Sequence, residues 1–312
     1  MKEKYFIGDY IAEAVRKEIS ADRYREIERC HRVVHGALDI EHKYALLLDN
    51  FKELEVELLR YALEHSLHAR GKWTHFADER LALDRRILNV LAASRAYTDQ
   101  TRTTISGVYG RGSKEYKAFT KVISDMGTSD VEYVFGFGLR DYAQHQQMPV
   151  YIQGVSFTVV RRRPPTQSAC TIQPKIKKEL LLVGGRGVSA EFKKVVTAMP
   201  DEIDLKARIR GFVRSLSSLH VAMREAIRDS IKTAVDLWQG MRNDCKALGC
   251  GKFVSALATS SDNPGVVLRY LAFTAEPYEH IVELQEYNSP RRKIGDCFVT
   301  SQDEDKMLRD LA

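Results

Sequence analysis

The chain has 312 residues and a formal net charge of +6, enough length for one or two domains with a substantial core. Hydrophobic residues at 44% and charged residues at 29% exclude a disordered or low-complexity chain. No apolar run approaches the roughly 18 residues that a membrane-spanning helix needs, so no membrane contact is expected. The first six residues, Met1 to Phe6, lack the apolar core of a signal peptide. The scattered cysteines, Cys30, Cys170, Cys245, Cys250 and Cys297, are odd in number. They fit free thiols in a reducing compartment, and the expected location is cytoplasmic. The basic balance is compatible with a nucleic-acid partner.

Residues 1–36 read as a charge-rich surface helix pair. Apolar spacing predicts helices over residues 9–19 and 23–34, with Gly36 as a stop. His31 and His35, four apart, read either as a metal-ligand pair or as a solvated pair. No acidic partner follows at matching spacing. Residues 40–67 predict a long amphipathic helix, with Tyr44, Leu47, Leu48, Phe51, Leu54, Leu58, Leu59 and Leu63 inward. A loop with Gly71 and Trp73 precedes a helix that Thr74 can cap and that runs to about Ser106. Leu81, Ile87, Leu88, Leu91 and Tyr97 form its predicted buried stripe. The polar run from Tyr97 to Thr104 contains Asp99 and Arg102. It reads either as the wall of a site or as the exposed end of a helix. Residues 114–125 predict a shorter helix, closed by Gly127. A further helix over about 130–147 follows, with Ser129 and Glu132 as a capping box. Pro149 forbids its continuation. Four helices joined by short loops imply an antiparallel bundle.

Beyond Pro149 the period changes. Residues 150–160 alternate and are rich in Val, Ile, Tyr, Phe and Thr, as strands are. Arg161, Arg162 and Arg163 form a basic turn before Pro164. Residues 169–183 read as a second strand carrying Lys175, Lys177 and Lys178. This hairpin reads as an arm for an RNA backbone or as an edge protected by charge. Gly184 to Ser189 precede a short helix over 190–198. The Walker spacing is absent there, so no nucleotide site is expected. Residues 201–248 are the longest periodic run, with apolar residues at threes and fours from Leu205 to Cys245. This helix either reaches a partner or is kinked within one core. Cys245 and Cys250 lack the spacing of a zinc pair. Residues 253–258, 266–274 and 280–287 read as strands that could join the earlier hairpin in one small sheet. Arg291, Arg292 and Lys293 form a second basic loop, and a charged tail follows.

One stretch combines residues suited to phosphate chemistry: Arg140, Asp141 and His145 at the end of the fourth helix. His145 lies in the last turn, where the helix dipole favours an imidazolium. Asp141, four residues before it, shares its face and can hydrogen-bond it. Arg140 points roughly 140° away at 100° per residue. Two such helices packed across a two-fold axis would bring both groups to one phosphate. The same Arg-to-His spacing recurs at Arg60 to His65 and Arg70 to His75, and nearby spacings occur at Arg25, Arg29 and Arg214. Arg140 differs in its polar neighbour, its place at a helix end, and the apolar run before it (Val134, Phe135, Phe137, Leu139).

This motif resembles that of the HEPN superfamily: an arginine, often followed by a polar residue, then four to six residues and a histidine at the end of a late helix. The resemblance covers roughly residues 40–150. It implies a helical-bundle homodimer and, in catalytic members, a metal-independent endoribonuclease that needs no cofactor. Such enzymes act as toxins, in antiphage defence or in RNA processing, sometimes under a regulatory protein partner. On this reading Arg140, Asp141 and His145 are catalytic and RNA is the substrate. The alternative is a non-catalytic module that binds nucleic acid or protein. The expected architecture is mainly α: an antiparallel HEPN-like bundle over 1–149, a β-hairpin appendage over 150–200, and a long helix with a small β segment over 201–312.

Overall fold

The computed structural model describes residues 3–9, 15–68, 72–161, 167–183, 189–250, 254–262, 266–274 and 276–288. Among them the chain is mainly helical, with two small antiparallel sheets. The order is β1 (Glu3–Asp9), β2 (Arg16–Ile19), α1 (Ala21–Leu67), α2 (Trp73–Tyr109), α3 (Lys114–Ser129), α4 (Val131–His145), β3 (Ile152–Arg161), β4 (Gln167–Lys177), α5 (Lys178–Val183), α6 (Ala190–Thr197), β5 (Glu202–Asp204), α7 (Leu205–Ala247), β6 (Val254–Ser260), β7 (Val267–Ala272) and α8 (Glu276–Tyr287). No helix among the described residues is long and apolar enough to cross a membrane.

The chain forms two compact units, each assembled from separated segments. The first comprises Met1–Tyr44, Asp99–Thr120 and Ala222–Ser289. The second comprises, among the described residues, Ala45–Thr98 and Lys121–Val221.

The first unit is built around a sheet of order β2-β1-β6-β7. Its central strand β6 is buried at every position, and small residues such as Ala256 and Ala258 suit that crowding. β1 pairs β6 from Glu3↔Ser260 to Asp9↔Val254. Residues 3–9 and 16–19 are therefore strands, where helix had been expected over 9–19. β2 pairs β1 locally, from Tyr5↔Ile19 to Gly8↔Arg16, but the β6 partner of β1 lies some 250 residues away, where no local spacing announces it. Gly36 does not end a helix either, since α1 runs through it. A Cβ at Gly36 would lie 2.7 Å from Val108 Cγ2, so the glycine marks a close helix approach. Glu41, 2% exposed, accepts two hydrogen bonds from Arg224, at 2.8 and 2.7 Å, and one from Gln285 at 3.2 Å. Such forked pairing satisfies a carboxylate that burial would otherwise penalise. α8 replaces a predicted strand. Pro277 sits in its first turn, where a missing N–H costs nothing, and Pro277, Ile281, Leu284 and Asn288 recur at helical spacing on the less exposed side. β6 and β7 thus pair with the N-terminal strands rather than with the hairpin.

The second unit holds the C-terminal half of α1 and the N-terminal half of α2. Its three-stranded sheet has order β3-β4-β5. β5 pairs β4 through Ile176↔Ile203, both buried. Beyond Lys177↔Glu202 no partner strand remains, and residues 178–183 turn into α5 instead of extending the predicted strand. α1 buries Tyr44, Leu47, Leu54, Leu58 and Tyr61, but leaves Leu59 and Leu63 in solvent. On α2, Ile87, Leu91 and Tyr97 are buried and Leu81 is exposed. α3 passes Gly127 and ends at Ser129, whose Oγ donates to the Asp125 carbonyl. At 43 residues α7 is slightly shorter than the 47-residue α1, which became the longest helix once it passed Gly36.

Candidate active site

α4 starts at Asp130 rather than at a Ser129–Glu132 box. Asp130 Oδ1 accepts hydrogen bonds from the Glu132 and Tyr133 amides, each at 3.0 Å. The Glu132 carboxylate is taken by Arg208 at 2.6 Å. Burial pushes that carboxyl upward, against the pull of Arg208 and Arg214. Further along, Gly136 and Gly138 let α4 lie against two rings. A Cβ would stand 2.2 Å from Phe212 at the first and 2.0 Å from Phe192 at the second. Phe135 and Leu139 are fully buried. Phe135 meets Phe192 at 5.8 Å, and Phe137 meets Phe212 edge-on at 5.2 Å. The apolar run ahead of the motif is therefore a rigid anchor, and it delivers the last turn of α4 in a fixed direction.

Arg140 Nη1 donates to Asp141 Oδ1 at 2.8 Å. The guanidinium is half-buried, and its Nε is buried without a hydrogen-bond partner. An unpaired N–H of a cation costs free energy that an incoming anion would restore. His145 is exposed in the last turn of α4. Among the described residues no hydrogen bond joins it to Asp141, contrary to the i, i+4 expectation, because the neighbouring guanidinium captures the carboxylate. Two residues on, Gln147 Nε2 donates to the Tyr142 hydroxyl at 2.5 Å. Met148, Leu81, Ala82, Leu88, Asp78, Arg85 and Asn89 line an open groove of about 600 Å³.

The other predicted site residues fall in different settings. Lys175 pairs with Glu202 at 2.8 Å, and Lys178 with Asp201 at 2.9 Å. Lys177 pairs with Glu179 at 3.7 Å and lies over the Tyr151 ring. Their charge is thus partly spent on local acids. Asp99 and Arg102 belong to the first unit, with Arg102 half-buried on α2. Arg162, Arg163, Arg291, Arg292 and Lys293, the side chain of Arg161, Gly184 to Val188 and Cys297 lie outside the described residues. The His31 and His35 rings lie tilted against each other with centroids 4.1 Å apart. No group of three or more His, Cys, Asp or Glu that could hold a metal occurs among the described residues.

No family model, no curated protein and no solved structure matches the chain. Its functional reading rests on its own residues.

The structure sets two of the competing Arg-to-His spacings apart by environment. His65 is buried against Glu79 at 2.9 Å, with Phe76 stacked on it. His220 is fully buried, and its Nδ1 lies 2.9 Å from the Tyr97 hydroxyl. Neither imidazole can meet a substrate. Sequence reading missed both buried pairs, and also Asp84. That carboxylate accepts the Val150 amide at 2.8 Å, and burial pushes its pKa up to about 6. The signal was an acid inside an apolar stripe, Leu83 to Ile87.

Proposed function

We propose that this chain is a HEPN-like, metal-independent endoribonuclease that works as a homodimer. The observation that carries the reading is the end of α4: a half-buried Arg140 held by Asp141, followed by an open His145 on a rigidly anchored helix. In RNA cleavage of this type the ribose 2′-oxygen attacks the adjacent phosphorus and the 5′-oxygen departs. The products are a 2′,3′-cyclic phosphate and a 5′-hydroxyl. His145 takes the 2′-hydroxyl proton or returns one to the leaving oxygen. Arg140 opposes the extra negative charge on the crowded phosphate. Asp141 orients Arg140, a role that their ion pair supports better than orientation of His145. Arg140 and His145 leave the helix in different directions, so a second copy across a two-fold axis supplies the complementary group. Toxicity to the host cell or antiphage defence is the biological role that fits such an activity.

The test is cleavage of labelled total RNA in EDTA by the parent protein, Arg140→Ala and His145→Ala. Cleavage by the parent with cyclic-phosphate ends, and a loss of at least about 100-fold in each variant, is expected. Intact RNA with all three proteins would end the nuclease reading.

One observation favours a second reading, a non-catalytic interaction module. Val56, Leu59, Leu63 and Leu67 are 45–67% exposed on the outer side of α1, and Trp73 is 80% exposed at the start of α2. Apolar side chains grouped in this way mark contact surfaces. RNA or protein binding that is insensitive to His145→Ala would support it.

A further inference from the structure

α7 ends in a geometry that brings two thiols together. The Cys250 amide donates to the Cys245 carbonyl at 3.0 Å, and the Gly249 amide to the Lys246 carbonyl at 3.0 Å. Gly249 has φ +84°, in the left-handed region. Together these make a Schellman cap, in which the residue after the glycine closes on the residue five positions earlier. Apolar side chains usually meet at those two positions. Here they are Cys245 and Cys250, which the two cap hydrogen bonds bring together at the helix end. Cys245 is fully buried, whereas Cys250 is partly exposed and its Sγ faces the Val15 carbonyl at 3.7 Å.

We propose that Cys245 and Cys250 are an oxidisable dithiol that closes to an intramolecular disulfide at the C-terminus of α7. Two short side chains at the paired positions of a closed cap need little backbone travel to form a bond of about 2 Å. Their accessibilities assign the order of events. The Cys250 thiolate attacks a low-molecular-weight disulfide such as oxidised glutathione. One thiol of the oxidant leaves, and a mixed disulfide remains on Cys250. The Cys245 sulfur then attacks the Cys250 sulfur, the second glutathione thiolate departs, and the Cys245 proton passes to it. Two protein thiols are oxidised to one disulfide and one molecule of oxidised glutathione is reduced to two thiols. Burial, the nearby Cys250 sulfur and its hydrogen bond hold Cys245 protonated, with its pKa pushed up to about 12. Cys245 is therefore the resolving partner, slow to react with anything but its neighbour. Cys30 is buried and Cys170 is half-buried, and burial raises both thiols. Neither has a second thiol beside it among the described residues.

The test equilibrates the full chain in glutathione redox buffers, then traps free thiols by alkylation and maps the peptides by mass. The expected product is a peptide linking Cys245 to Cys250, lighter by two hydrogens and reversed by dithiothreitol. Cys30 and Cys170 stay alkylatable after unfolding. Cys245→Ala, which keeps the cap contact apolar, should accumulate glutathione on Cys250, while Cys250→Ala should leave Cys245 unmodified. The proposal is overturned if the parent ends as a stable mixed disulfide at Cys250. A covalent dimer through Cys250 would overturn it too, as would both thiols staying reduced in fully oxidised glutathione. The parent's own peptide map decides the matter even if a variant does not fold.

Discussion

One shifted group in each unit, His31 in the first and Asp84 in the second, should answer acid in opposite directions. In the first, His31 lies stacked on Trp238 with ring centroids 5.8 Å apart and meets Phe273 edge-on at 5.6 Å. Burial, reinforced by the charge of His35, lowers its pKa from 6.5 to about 4, against a backbone hydrogen bond at Ala272. In the second, burial raises Asp84 to about 6, opposed by the Val150 amide and by Arg80. The unfolded chain protonates His31 below pH 6.5 while the folded unit refuses the proton. Stability from this site is therefore present above pH 6.5 and is lost as pH falls toward 4. Asp84 has the reverse sign. Its folded form keeps a proton that the unfolded chain has released, so ionisation costs the fold increasingly from pH 4 to 6 and fully above 6. Acid relieves the Asp84 site and strains the His31 site. Burial is the common cause, and the charge type of the buried group decides the direction.

Hydrogen exchange can read the contrast, using β6 peptides for the first unit and α4 peptides for the second. The largest effect should come from Arg224→Ala, which strands the buried Glu41 carboxylate. A loss of about 3–5 kcal/mol is expected, seen first as faster exchange in β6. Equal loss in both sets of peptides would mean that the units do not respond separately. Next, Asp84→Asn keeps an acceptor for the Val150 amide and removes the ionisation cost. It should raise stability at pH 7.5 by up to about 3 kcal/mol, with the gain disappearing near pH 4. An unchanged melting temperature across that range would remove Asp84 from the comparison. His31→Phe keeps an aromatic ring against Trp238 without a titrating nitrogen. It should abolish about 2–3 kcal/mol of acid sensitivity between pH 6.5 and 4. A melting curve that still falls as steeply would place the sensitivity elsewhere. Gly36→Ala should cost about 1–3 kcal/mol, because Val108 must yield to the new methyl group, and denaturant titration would measure it. Lys175→Ala, which removes an exposed pair with Glu202, should change stability by less than about 1 kcal/mol.

The legible part of this chain was its helical periodicity. In α7 the apolar residues at threes and fours are buried from Leu205 through Met223 to Cys245, apart from a half-exposed Ile231. The anchor before the motif, Phe135 and Leu139, was visible as an apolar run and is buried. Leu59, Leu63 and Leu81 looked no different from their buried neighbours, yet they are exposed. A helix of nearly uniform apolar spacing does not announce which side its neighbours will cover. Within the motif, spacing placed Asp141 and His145 on one face, but an adjacent guanidinium is closer than an imidazole one turn away, so Asp141 pairs with Arg140 instead.

Local physics, written in the sequence alone, determined where long helices run, that α4 stops before Pro149, and that Arg140, Asp141 and His145 share one helix end. Only the tertiary structure decided that residues 3–9 are a strand, because their hydrogen-bond partners in β6 lie at the far end of the chain. It also decided that residues 276–287 are a helix and that Gly36 is a crossing point rather than a stop. It further decided that His65 and His220 are buried while His145 stands open. Backbone pairing and burial depend on what a distant segment brings near, and no window of neighbouring residues contains that information.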